Sequence, residues 1–170
     1  QVGNGTLINT GTPSELLPSG AWAAIAPGLY VTCGIRTNGE LYCWGDNYKG
    51  ALGTGGGPDS PLPVLVSGGF QDWEQVACGE QSCCAVRGAG ELYCWGDNAD
   101  GQLGDGTNTD KNLPTRVGTD ADWTVVSATG GSACALKSDH SLYCWGSNTS
   151  GKLGLGAQVP RTTRERGGIG

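Results

Sequence analysis

Eight cysteines are the residues of this 170-residue chain best suited to chemistry, and six of them repeat one spacing. Cys33 and Cys43, Cys84 and Cys94, and Cys134 and Cys144 each stand ten positions apart. A thiolate can attack an electrophile, hold a metal or exchange with a disulfide. Nucleophilic catalysis needs a base beside it, and the chain has one histidine, His140. Zinc sites favour the short C-x-x-C spacing, which the sequence lacks. An even cysteine count in a short, glycine-rich chain points instead to disulfides and an oxidising compartment, extracellular or at the cell surface.

The remaining candidates read as structure. GTGGGPD at 53–59 has a phosphate loop's glycines but not the Lys-Ser/Thr that completes one, so a flexible turn is expected. Asp97, Asp100, Asp105 and Asp110 crowd the stretch 96–110. Calcium takes roughly six to eight convergent oxygens at a different spacing, so these acids are expected to hold Asx turns. Asn4-Gly5-Thr6 and Asn148-Thr149-Ser150 are N-glycosylation sequons, candidate sites in a secretory protein. No catalytic residue, cofactor or metal site is expected, and the chain is not read as an enzyme.

The elements that position these residues repeat. Trp22, Trp73 and Trp123 are spaced by 51 and 50 residues, and Trp44, Trp95 and Trp145 follow each at 22. GELYCWGDN at 39–47 returns at 90–98 and, as HSLYCWGSN, at 140–148. A glycine-rich turn follows each time, and QVGNGT at the start aligns with QLGDGT at 102–107. A period of about 50 indicates a solenoid, propeller or array. The units run from a part-unit at 1–20 through 21–70, 71–120 and 121–156, with an Arg/Gly-rich tail at 157–170. That tail, carrying Arg161, Arg164 and Arg166, is a solvated linker or an arm for an acidic neighbour.

Each unit has the alternation of β-strands, with β-branched and aromatic residues around Asn-Gly. A three-residue loop at Thr37-Asn38-Gly39 sets 36 opposite 40 and 33 opposite 43, at a non-hydrogen-bonded position where Cα atoms approach closest. Disulfide geometry accepts that distance. His140 takes the left-handed position of Gly39 and Gly90, which histidine tolerates. Each bridge then contributes about 2–3 kcal/mol in the chain-entropy model. Adjacent Cys83 and Cys84 point to opposite faces of a strand. Cys84 goes to Cys94, and Cys83 to Cys78, with an intermolecular cross-link or a free thiol as the alternatives.

Written out as W-x-x-[IV]-x-x-G … C-x-[IVL] … G-x-LYCWG-[DS]-N-x-x-G-x-LG-x-G, the unit resembles the regulator of chromosome condensation repeat family over nearly all of 1–156. The resemblance implies an all-β fold of β-propeller blades, each a four-stranded antiparallel sheet, with seven closing the ring in the founding member. Three units cannot close such a ring. The paired cysteines resemble secreted variants rather than the intracellular members. Trp22, Trp44, Trp73, Trp95, Trp123 and Trp145 are expected in the blade cores.

A net charge of −6, with ten Lys and Arg against sixteen acids, disfavours nucleic acid as a partner. No apolar run is long enough to span a membrane. The chain starts at Gln and contains no Met, as expected of a processed or excised chain. The leading expectation is a secreted, disulfide-stabilised building block, structural or adhesive, of a filament, sheath or surface layer. Its open flanks would associate head to tail, or meet other blades of a longer parent chain. The alternative is an extracellular module for a glycan or peptide, and a small-GTPase exchange factor is the remaining analogy.

Overall fold

Gly39 turns the first hairpin at φ +80°, a left-handed conformation that glycine adopts without crowding from a Cβ. The computed structural model, which describes residues 2–13, 15, 20–156 and 161–166, pairs the strands around that turn. The Arg36 N–H donates to the Glu40 carbonyl and the Gly39 N–H to that of Arg36, both at 2.9 Å. Cys33 thereby faces Cys43, Gly34 faces Tyr42 and Ile35 faces Leu41. The turn chemistry and the register agree.

Three four-stranded antiparallel sheets follow, each hydrogen-bonded in chain order. The first blade is β1 (Trp22–Pro27), β2 (Val31–Arg36), β3 (Leu41–Gly45) and β4 (Ser60–Leu65). The second is β5 (Trp73–Cys78), β6 (Ser82–Arg87), β7 (Glu91–Gly96) and β8 (Lys111–Ala121). The third is β9 (Trp123–Thr129), β10 (Ser132–Lys137), β11 (Leu142–Gly146) and β12 (Arg161–Arg166). One boundary differs from the sequence reading: β12 pairs with β11 through Arg161, Glu165 and Arg166. Part of the stretch read as a tail is therefore the outer strand of blade three, and the third unit runs to 166. The other tail residues, 157–160 and 167–170, lie outside the described residues. No helix among the described residues is long and apolar enough to cross a membrane.

First strands β1, β5 and β9 pack against one another, while the fourth strands form the far edges. The result is an arc of blades, an incomplete propeller. Apolar side chains gather in two clusters, one per seam between blades. Ile35, Leu41, Leu52, Trp73 and Trp95 anchor the first, and Val86, Leu92, Leu103, Trp123 and Trp145 the second. Residues in β2 and β6 are buried along almost the whole strand, because sheet neighbours flank them and packed blades cover their faces.

The glycine turns tie each blade to the next. The Gly55 N–H donates to the Asn112 carbonyl on β8 at 2.8 Å, and the Gly106 N–H to Thr162 on β12 at 2.9 Å. The Gly5 N–H makes the same bond to Pro61 on β4 at 3.0 Å. The start of the chain thus occupies, against blade one, the place that a preceding blade's turn would take. That is the alignment of QVGNGT with QLGDGT, seen in space.

Candidate functional site

Three disulfides sit at one site of three blades. Cys33–Cys43, Cys84–Cys94 and Cys134–Cys144 join the second strand of each blade to its third, with Cα atoms 4.0, 4.1 and 4.1 Å apart. A fourth bridge, Cys78–Cys83, joins β5 to β6. No cysteine is free. The Cys33 and Cys83 sulfurs lie 3.5 Å apart, so two bridges touch across the first seam. With Cys78 they form the one grouping of potential metal ligands among the described residues. All three are oxidised, so none offers the thiolate a metal would need.

The tryptophans act on the seams. Trp95 Nε1 donates to the Ala51 carbonyl and Trp145 Nε1 to that of Gln102, each at 2.9 Å and each reaching into the preceding blade. Gly53 and Gly104 lie under those indoles: a Cβ would stand 2.9 Å from Trp95 Nε1 or 2.8 Å from the Trp145 ring. Trp22, Trp73 and Trp123 meet Tyr42, Tyr93 and Tyr143 edge to face, at 6.0, 5.6 and 5.3 Å between centroids. Arg36, Arg87 and Lys137 lay their cations over these aromatic groups. Trp22 is half-buried, and the other five indoles are buried. Buried indoles cannot stack on a sugar, whereas Tyr30 and Tyr48 are exposed.

An asparagine organises each turn, a role the sequence reading missed although W-G-x-N occurs in all three units. The Oδ1 atoms of Asn47, Asn98 and Asn148 accept from the Leu52, Leu103 and Leu153 amides, all at 3.0 Å. Asn148, read from its sequon as a possible glycosylation site, is 1% exposed, and a glycan there would have to break the turn. Asn4 is half-buried and accepts from the amide and hydroxyl of Thr6, as Asp105 does from Thr107.

Three of the four acids of 96–110 accept from neighbouring donors. Asp97 accepts from Gln102 Nε2, Asp105 from Thr107 and Asn98, and Asp110 from the Asn98 amide and Lys49 Nζ. Burial opposes ionisation of Asp105 and Asp110, but hydrogen bonds and a lysine outweigh it and hold both carboxyls below their usual range. Lys49–Asp110, at 2.9 Å, spans the first seam. Residues 53–59 are likewise pinned, since Gly57 accepts from Asn47 Nδ2 and Gly55 donates to Asn112. His140, at φ +65°, holds the hairpin tip.

The outer side of blade three differs from its counterparts. Leu41 and Leu92 are 1% and 0% exposed, whereas Leu142 at the same position is 44% exposed. Ala51, Gln102, Gly53 and Gly104 are buried under the next blade, while Lys152 and Gly154 are exposed. Leu142, Gly154 and half-buried Cys134 are the exposed part of a copy of that seam face, while Leu153 and Cys144 stay buried. This face, exposed in the described residues, is the candidate contact surface.

Known proteins place this arrangement. The regulator of chromosome condensation (RCC1) repeat matches residues 38–86 and 89–136, and a second form of that repeat matches 22–51, 73–102 and 123–152. The chain is 32% identical over 126 residues to the ultraviolet-B receptor UVR8 of Arabidopsis thaliana, covering 69% of this chain and 28% of the receptor. It is 40% identical over 80 residues to the RCC2 homologue of Danio rerio, covering 46% of this chain and 16% of that protein. Human WBSCR16 superposes with a TM-score of 0.76 at 22% identity, over 87% of this chain and 40% of that one. Prp20p of Saccharomyces cerevisiae, described with its binding to Gsp1p and histones, gives 0.75 at 19% identity, over 88% and 40%. This chain spans well under half the length of these relatives. Its repeats, its blades and their sequence signature together make it a member of the regulator of chromosome condensation repeat family.

Proposed function

We propose that the chain is a protein-binding arc of propeller blades, working as a disulfide-stapled building block of an extracellular or cell-surface assembly. The observation that carries this reading is the repeated bridge: the same two positions are oxidised in all three blades, and the other two cysteines pair as well. Such bridges persist where thiols are not kept reduced, and they offset a thin aliphatic core. The uncovered face of blade three supplies the contact surface. Relatives described as binding other proteins support a recognition role, while a net charge of −6 offers no counterpart to a basic nucleic-acid surface.

Peptide mapping without reduction, on material from the natural source, tests the setting. All four pairs should be recovered, and free thiols at the ten-apart cysteines would overturn it. Light scattering on the same native material tests the building-block role. Particles larger than one chain are expected, and a lone monomer would overturn that role.

A further inference from the structure

Blade two carries two cysteines that the other blades lack. Cys78 and Cys83 face each other across β5 and β6, where blade one pairs Pro27 with Thr32 and blade three pairs Ala128 with Ala133. The added bridge lies against an existing one. The Cys83 sulfur is 3.5 Å from that of Cys33, and the Cys33, Cys78 and Cys83 sulfurs lie within 4.8 Å of one another. The second seam follows the same plan without the extra sulfur, since Cys84 shares its core cluster with Ala133. Of the two described seams, the first holds two bridges in contact from facing blades.

Access to this pair of bridges is one-sided. Cys33, Cys43 and Cys83 are 0% exposed, whereas Cys78 is 6% exposed. Cys78 also lines a cleft of about 340 Å³ between loops of all three blades, walled by Leu29, Gly79, Glu80 and Thr129. A small thiol entering the cleft reaches the Cys78 sulfur before the other three.

The geometry points to a thiol-exchange site in the first seam, which takes a small thiol at Cys78 and moves a disulfide from within blade one to between blades one and two. The incoming thiolate attacks Cys78, forming a mixed disulfide there and expelling Cys83 as thiolate. Cys83 attacks the Cys33 sulfur beside it, so a Cys33–Cys83 bond forms and the Cys33–Cys43 bond breaks. Cys43 leaves as thiolate and takes up the proton that the incoming thiol gave up. Two disulfides stand before the exchange and two after it, so no oxidant or reductant is consumed. The sulfur contact supplies the second step with a nucleophile already held at its target. Both resting bridges lie within a blade, whereas the product pins β2 to β6 across the seam. The exchange goes beyond the protein-binding reading and requires only the oxidised chain.

The test treats the intact, oxidised chain with cysteamine, a thiol without a carboxylate to oppose Glu80. Acid quench, alkylation and peptide mapping without reduction follow. Cleavage after Arg36, Glu80 and Arg87 separates the cysteines, and fragmentation tells Cys83 from adjacent Cys84. Expected are a Cys33–Cys83 link, cysteamine on Cys78 and alkylated Cys43, with no inter-blade link from Cys84. In the double variant Cys78→Ser, Cys83→Ser, the Cys33–Cys43 bridge should open at least about tenfold more slowly, because the neighbouring nucleophile is gone. In Cys43→Ser, Cys78→Ser, the remaining thiols of Cys33 and Cys83 should close a bridge in air. Cysteamine on Cys78 without a Cys33–Cys83 link in the parent chain would overturn the exchange. So would resistance of Cys78–Cys83 to cysteamine, or equal opening of Cys33–Cys43 with and without the second bridge. Links from Cys33 spread evenly over Cys78, Cys83, Cys84 and Cys94 would mean scrambling, and would overturn it as well.

Discussion

Leu92 and Leu142 hold the same place in successive blades, yet the first is sealed and the second is 44% exposed. Their hairpins share sequence and register, so the local code does not separate them. A following blade does. Where one is present, Gly90 admits its backbone and Gly104 admits its indole. Where none is described, His140 stands at the first position and Gly154 at the second remains open. A repeat thus fixes its own strands, while its neighbour decides which side chains become core.

Substitutions at matched positions break or sharpen that comparison. The largest effect is expected for Trp95→Ala, which removes a fully buried indole and orphans the Ala51 carbonyl. It should destabilise by about 3–5 kcal/mol in chemical denaturation. A loss below about 1 kcal/mol would mean the seam is not core. Leu92→Ala should follow at about 2–4 kcal/mol, whereas Leu142→Ala should cost under about 1 kcal/mol. Equal costs would contradict the uncovered flank.

Gly39→Ala sets a methyl 2.1 Å from a backbone oxygen at positive φ and should cost about 2–3 kcal/mol. His140→Gly should be neutral or stabilising by under about 1 kcal/mol, since it relieves a left-handed histidine. The smallest effect belongs to Asp110→Asn, which opens the partly exposed bridge to Lys49 and should cost under about 1 kcal/mol at neutral pH. Asp110 ionises below its usual range in the folded chain, so its contribution is full above the unfolded carboxylate pKa. That contribution fades as pH falls through the lowered folded value. The variant's stability should therefore fall less steeply in acid than the parent's.

Much of the fold is legible because hairpins are local. Asn38-Gly39 states the turn, the turn states the register, and the register sets the ten-apart cysteines opposite one another. The start of the chain is legible through its match to a later turn. Strand β12 is not: RTTRER has neither apolar alternation nor a turn signal, and only pairing with β11 makes it a strand. The burial of Asn148 is not legible for a related reason: a sequon is three letters, whereas that burial depends on a turn closed by Leu153, five residues on. Open flanks are legible from the count of three units, but the side chains one exposes are not, because Leu41, Leu92 and Leu142 are spelled alike and only a neighbour distinguishes them.

One measurement tests the distinction between seam and flank most directly. Cys33–Cys43 and Cys84–Cys94 lie in seams with every cysteine at most 1% exposed, while Cys134 is half-buried on the uncovered face. Timed reduction of the native chain with a small thiol, quenched by alkylation and read by mass spectrometry, ranks the bridges by access. Cys134–Cys144 should open first, well before the two seam bridges. Equal rates for the three, or earlier loss of Cys84–Cys94, would contradict an uncovered third blade.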